Sequence, residues 1–343
     1  MSLRKNIIQS LKFTGFLAAG AVLLWLAFRS INTDRLLSSL AGARYGWIIL
    51  SIVFAFMAYV SRARRWVLLI EPLGFKPSLR NTFHAMMTGY LANMALPRVG
   101  EITRCIALGR KEKIPADQLI GTVVIERGID IFSLLLITLF MLIVDGKTLG
   151  PFLNENVILP VQEKMINLFG FPWMIWVLIT GFFLLTAALI YILRRGLRRI
   201  RFFSKLFDAA RGVLTGLGTF TRVKRKKEFV FHTIFIWLNY ALMTWVVVFS
   251  LRSTSHLDLA DGMFLLVIGG LAMSAPVQSG LGAFHFIVSR GLNAVYGISL
   301  EDGLAYALLA HESQLLFGMI LGFVAFFSLV RKDKIKLTAG AEE

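Results

Sequence analysis

Leu91-Ala92-Asn93-Met94-Ala95-Leu96-Pro97 and Leu271-Ala272-Met273-Ser274-Ala275-Pro276 are two similar stretches, each closing a short apolar run. Thr82–Leu96 has 15 residues and Gly262–Ala275 has 14. At about 1.5 Å per residue, such helices reach only about 21–23 Å, short of the roughly 30 Å hydrocarbon core. Proline stops each run, because it lacks an N–H and restricts the residue before it. Small residues and a second amphipathic stretch follow each stop.

Six longer apolar runs surround them: Phe13–Phe28, Tyr45–Val60 extending to Leu69, Leu119–Val144, Phe171–Leu193, Phe229–Leu251 and Gly303–Val330. Each reads as a transmembrane helix. Composition agrees. The 343 residues are 57% hydrophobic and 17% charged, with a mean hydropathy of +0.70, against about 45–50% and about 25% in soluble domains. Disorder is excluded by the apolar content, and a disulfide framework by Cys105 being the only cysteine. Arg4, Lys5 and Lys12 before Phe13 resemble the start of a signal peptide, but no small-x-small cleavage site leads into a soluble chain. A first span with its N-terminus inside is expected.

The net charge of +17, from 37 Lys and Arg against 20 Asp and Glu, would suggest nucleic acid in a soluble protein. Here the basic residues sit in blocks between apolar spans, without aromatic interleaving, so no nucleic-acid partner is expected. Instead the charges orient the chain. If both short runs crossed fully, Arg194–Glu228 would lie outside with eight Arg and four Lys against Asp208 and Glu228, a net +10. If both turn back as re-entrant hairpins, the N-terminus, Ser61–Arg80, Arg98–Asp117, Arg194–Glu228 and Arg331–Lys336 all face the cytoplasm. The external loops Asp145–Gly170 and Arg252–Asp261 then each carry −1, and only Arg29–Arg44 is positive, at +2.

The expectation is therefore an all-α polytopic transmembrane bundle: six full spans plus two re-entrant helical hairpins in an inverted-topology repeat. Residues 1–145 form the first half (span, span, re-entrant, span), 146–170 an external loop, and 171–343 the second half with a basic tail. Within it, segment 194–228 interleaves Arg194, Arg195, Arg198, Arg199 and Arg201 with Ile200, Phe202, Phe203, Leu206 and Phe207. That is a basic amphipathic surface for the anionic inner leaflet, where each cation contributes about 1 kcal/mol. An inner (cytoplasmic) membrane location with both termini cytoplasmic follows.

Charges at membrane depth are the informative residues, since each costs about 2.5–3.5 kcal/mol unless paired or wet. In Pro97-Arg98-Val99-Gly100-Glu101-Ile102-Thr103-Arg104, Gly100 permits a close turn and Glu101 and Arg104 share a helical face. Arg98 and Arg104 suit a phosphate. Glu126, Arg127 and Asp130 lie inside Leu119–Val144 and must face the protein interior, as an interhelical ion-pair lock or as part of a headgroup site. In the turn Gln278-Ser279-Gly280-Leu281-Gly282, exposed backbone N–H groups precede a helix and suit an anion; Gln278, Ser279 and His285 add neutral donors, and the alternative is a turn needing glycine only for sterics. His311 and Glu312 sit in the last span. Glu312 needs a partner, with Arg127 or Arg104 as candidates by depth, and His311 either titrates near neutral pH or packs. His84, Asn93 and Asn239 read as interhelical hydrogen bonds. No H-E-x-x-H, G-x-S-x-G, P-loop or dinucleotide fingerprint occurs, so no soluble-enzyme activity, metal or cofactor is expected.

Taken together, Arg65-Trp66-Val67-Leu68-Leu69, Leu96-Pro97-Arg98-Val99-Gly100-Glu101 with Arg104, Glu126-Arg127 with Asp130, and the Pro276–Gly282 turn resemble the lysylphosphatidylglycerol synthase transmembrane region family over nearly the whole chain. The resemblance implies a flippase-like membrane domain. The family's synthase members add a cytoplasmic aminoacyl-transferase domain that this sequence does not contain, so synthesis of lysyl-lipid is not expected. The family's usual Pro-Gly-Gly and following acidic residue are replaced by Gln278-Ser279-Gly280 and His285. The expected function is binding and translocation of an anionic phospholipid or polyprenyl phosphate at a midplane site between the two turns, with Glu312 or His311 as proton-coupling groups. A membrane-embedded enzyme acting on a lipid phosphate, with His285 or His311 as acid–base, and a proton-coupled small-anion transporter are the alternatives.

Overall fold

The computed structural model describes residues 18–95, 99–144, 146–159, 222–275 and 277–339, with Gly15 and a few scattered positions between 162 and 185. All regular structure among these residues is helical. The expected span Phe171–Leu193 and most of the basic segment 194–228 lie outside the described residues, as do Leu96, Pro97, Arg98 and Pro276.

Helix α1 covers Ala18–Phe28, α2 Thr33–Ala41, α3 Tyr45–Ile70, α4 Leu79–Ala95, α5 Gly100–Glu112 and α6 Ala116–Val144. The expected external loop opens with a further helix, α7, Gly146–Leu153, because Leu149 and Phe152 bury against the core, Phe152 edge-on to Phe264 at 5.3 Å. Then come α8 Lys226–Val246, α9 Leu259–Met273, α10 Ala283–Tyr296 and α11 Leu300–Ala339.

Local chemistry sets several of these boundaries. Asn32 caps α2 by accepting from the backbone N–H groups of Asp34 and Arg35. Asp258 and Asp261 form a reciprocal capping box on α9. Gly297, in the left-handed region at φ 65°, ends α10.

Among the described residues, four helices are long and apolar enough to span a membrane: α3 with its extension to Leu73, α6, α8 with its extension to Ser250, and α11 over Leu300–Leu329. Helix α6 turns Ile131, Phe132, Leu135, Leu136, Leu139, Phe140 and Ile143 outward. A belt of that size suits lipid and not water. Helices α4 and α9 are the short ones, with 17 and 15 residues.

The packing pairs correspond between the halves. Helix α4 packs on α5 and α11, and α9 packs on α10 and α6; α5 packs on α6 and α10 on α11; α3 packs on α4 and α8 on α9; and α3 lies against α8. Polar ties reinforce this arrangement. Ser51 donates to the Met243 carbonyl (2.8 Å), Gln314 donates to Ser51 (2.9 Å), and the Tyr306 hydroxyl donates to the Thr244 carbonyl (2.8 Å).

Candidate functional site

Helix α3 continues unbroken to Ile70, so Arg62 and Arg65 are buried in the bundle. The sequence reading had placed them in a cytoplasmic segment. They are one turn apart and meet the acidic face of α6. Arg62 Nη2 lies 2.6 Å from Glu126 Oε1 and 3.1 Å from Asp130 Oδ2. Arg65 Nη2 lies 2.6 Å from Asp130 Oδ1 and 3.8 Å from Glu126. From α5, Arg104 reaches Glu126 at 3.1 Å and Glu101 at 2.9 Å. Arg127 closes the ring, 2.8 Å from Glu101 and 3.6 Å from Asp130.

Among the described residues, four guanidinium groups thus face three carboxylates, an excess of one positive charge. Their surroundings fix them further. Arg104 stacks over the Trp66 ring at 4.6 Å from its centroid, and Trp66 Nε1 donates to Thr122 Oγ1 at 2.9 Å. Arg62 also donates to the Tyr240 hydroxyl at 2.8 Å. Even so, the buried Arg62 Nε, Arg65 Nε and Nη1, Arg104 Nε and Arg127 Nε make no hydrogen bond. Arg127 and Glu101 form the open rim, with side chains 39% and 30% exposed.

Backbone contact brings α5 to this position. A Cβ on Gly100 would overlap the Gly89 carbonyl oxygen, so α4 and α5 touch without side chains between them. Asn93 on α4 accepts the Gly100 N–H at 2.7 Å and satisfies the exposed start of α5. That is the interhelical bond expected of Asn93. Asn239 differs: its amide donates to the Phe235 carbonyl within α8.

The second turn carries a separate cluster. Gln278–Gly280 is one turn of 3-10 helix with Ser279 at φ 47°, and Gly280 is buried. Gly282, at φ 79°, admits α1: a Cβ there would lie 2.6 Å from the Gly20 carbonyl oxygen. Gln278 Nε2 donates to the Ala95 carbonyl at 3.3 Å, so the turn touches the end of α4. His285 on α10 and His311 on α11 both approach Glu312 Oε1, at 3.2 and 3.1 Å. Glu312 is therefore paired with the two histidines and not with Arg127 or Arg104, whose charges are taken up by Glu101, Glu126 and Asp130.

Of the residues singled out from sequence, Glu101, Arg104, Glu126, Arg127 and Asp130 come together, with Gly100 at the base of α5. Ser279, His285, His311 and Glu312 form the second group, flanked by Gln278, Gly280 and Gly282. Arg62 and Arg65 were missed as site residues. Their signal was a run of three arginines, Arg62, Arg64 and Arg65, within a largely apolar helix.

A curated protein of Methanocaldococcus jannaschii, described as the UPF0104 membrane protein MJ1595, is 23% identical over 333 residues, covering 89% of this chain and 92% of its own length. The family described as the lysylphosphatidylglycerol synthase TM region matches residues 12–322, which include all of α1 to α10 and both clusters; the chain is a membrane protein belonging to that family.

Proposed function

We propose that this protein is a flippase-like lipid transporter whose arginine–carboxylate cluster binds the phosphate of an anionic phospholipid or a polyprenyl phosphate. The observation that carries the reading is the excess of one guanidinium over the carboxylates, combined with buried N–H groups that have no acceptor. A lipid phosphodiester brings one negative charge and several acceptor oxygens, so it neutralises the cluster and fills those donors. A structural lock needs no such excess. Arg127 and Glu101 are the rim through which a headgroup enters.

In this reading, helices α4–α5 and α9–α10 are the two re-entrant hairpins of an inverted repeat with six full spans. The correspondence of packing pairs between the halves supports it. The Gln278–Gly282 turn, His285, His311 and Glu312 lie on the opposite side of the translocation path, and Arg98 joins Arg104 and Arg127 in neutralising the phosphate. Rocking of one half against the other exposes the site alternately. The protein sits in the inner membrane with both termini cytoplasmic, and segment 194–228 rests on the anionic leaflet.

The test is native mass spectrometry of protein purified in mild detergent, with Arg104→Gln and Arg127→Gln beside the parent. Arg127→Gln leaves three cations facing three anions, so it should fold and lose the lipid. Retention of a selected anionic lipid by the parent alone supports the proposal. A parent without a selected lipid, or well-folded variants that keep it, refutes it.

A further inference from the structure

We propose that His285, His311 and Glu312 form a binding site for a divalent transition-metal ion of the zinc class. The argument rests on the geometry of these three side chains and is independent of the lipid reading.

The donor atoms are already gathered. One ligand atom from each residue lies within 4.8 Å of the other two. His285 Nε2 and His311 Nδ1 stand 3.2 and 3.1 Å from the same carboxylate oxygen, Glu312 Oε1. Zinc holds imidazole nitrogen and carboxylate oxygen at about 2.0–2.2 Å in a tetrahedron, which sets neighbouring ligands about 3.3 Å apart. The two short separations match that edge, so only small side-chain adjustments separate this arrangement from a three-ligand site with a fourth position open. Two imidazoles and one carboxylate are donors for zinc and its neighbours, and poor donors for magnesium or calcium, which want oxygen alone.

The polarity of the hydrogen bonds supports a cation. His311 Nε2 lies 2.8 Å from the Ser279 carbonyl oxygen, which can only accept. The proton therefore sits on Nε2, and in a neutral ring the Nδ1 lone pair faces Glu312 Oε1, another lone-pair bearer. A positive charge between them removes the conflict. Metal-bound histidine characteristically donates its other N–H to a carbonyl in this way. His285 is fully buried, and neither of its ring nitrogens makes a well-aligned hydrogen bond. Its Nε2 lies 3.2 Å from the same carboxylate oxygen. Phe284 stacks on His311 with centroids 5.1 Å apart and holds that ring in place. Glu312, with a side chain one-third exposed, gives the ion a way in.

The competing arrangement puts a second proton on His311 and no metal in the cluster. The two are separated by titrating full-length, chelator-treated protein, carrying a tag without histidines, with Zn²⁺ by calorimetry and with Co²⁺ by visible absorption. The expected result is one ion per chain and a four-coordinate Co²⁺ spectrum that Zn²⁺ abolishes. His285→Ala and Glu312→Gln should each weaken binding by more than the roughly 10–100-fold that loss of a supporting partner costs a metal site. His256→Ala, on an exposed turn, should leave it unchanged. If His285→Ala fails to fold, Glu312→Gln and a Zn²⁺-dependent rise of the parent's melting temperature carry the test. A folded parent that binds no stoichiometric ion, or binding that survives both ligand substitutions, overturns the proposal in favour of the shared proton.

Discussion

Glu126→Gln is the substitution that probes the arginine cluster most directly. Glu126 is fully buried and lies within 4.0 Å of all four arginines, Arg62 at 2.6 Å, Arg104 at 3.1 Å, Arg65 at 3.8 Å and Arg127 at 4.0 Å. With an effective dielectric constant of about 20, the attractions to Arg62 and Arg104 are each about 5–6 kcal/mol before desolvation is subtracted. The amide keeps the shape but removes the charge, and points an N–H pair at guanidinium donors. Breaking a buried ion pair from one side typically costs about 3–5 kcal/mol. At about 1.4 °C per kcal/mol for a chain of 343 residues, that is a fall in Tm of roughly 4–7 °C, readable by intrinsic fluorescence of the detergent-solubilised protein. The same change raises the cluster's excess from one positive charge to two. Anionic-lipid retention per folded molecule should therefore persist or rise while stability falls. A variant as stable as the parent would sink the assignment of Glu126 as the shared counter-ion, and loss of both stability and lipid would favour a structural lock over an anion site.

Other outcomes follow from the same contacts. Gly100→Ala should abolish accumulation of folded protein, because the new Cβ overlaps the Gly89 carbonyl oxygen, whereas Gly128→Ala, with nothing within 4 Å of its Cβ, should be tolerated; size-exclusion profiles distinguish them. Trp66→Phe loses the bond to Thr122 and weakens the contact with Arg104, lowering stability by about 1–2 kcal/mol, seen as a small drop in Tm with the monodisperse profile kept. Cys105, fully buried on α5, should resist maleimide in the folded protein and react after denaturation, read as a mass shift; rapid labelling of native protein would contradict the packing of α5 on α6.

How much of this was legible beforehand depended on the range of the interaction. The short apolar runs Thr82–Leu96 and Gly262–Ala275 were readable because length and proline act locally, and the structure gives helices of 17 and 15 residues there, ending at Ala95 and Met273. Glu101 with Arg104 and Arg127 with Asp130 were readable because residues three apart share a helical face. The partners of Glu312 were not. Depth alone suggested Arg127 or Arg104, but both arginines are drawn to Glu101 and Glu126, a preference that only the packing of α5 on α6 creates. Arg62 and Arg65 were hidden for a different reason: the basic run Arg62, Arg64 and Arg65 after an apolar run reads as a cytoplasmic flank, and only the continuation of α3 to Ile70 puts Arg62 and Arg65 inside.

The two clusters share one arrangement with different chemistry. In each, a carboxylate on a long helix faces a cationic or potentially cationic side chain near the start of a short one: Glu126 on α6 with Arg104 on α5, and Glu312 on α11 with His285 on α10. In the first, every cation among the described residues is a guanidinium, which stays charged at any physiological pH, so its excess charge is permanent, and the proposed anion would neutralise it. In the second, the partners are imidazoles, whose ring nitrogens offer either an N–H or a lone pair, so that cluster can take up a proton or, as proposed, a metal ion. Gln278 links the two across its bond to the Ala95 carbonyl, at the end of the helix whose Asn93 and Gly89 hold α5 in place. A change in what occupies the histidine cluster would act on the Ser279 carbonyl, within the same turn as Gln278. That places the nearest route to the arginine site through the backbone of α4: zinc should alter anionic-lipid retention in the parent and leave it unchanged in Gln278→Ala, while a parent whose retention ignores zinc, or a variant whose retention still responds, would refute this route.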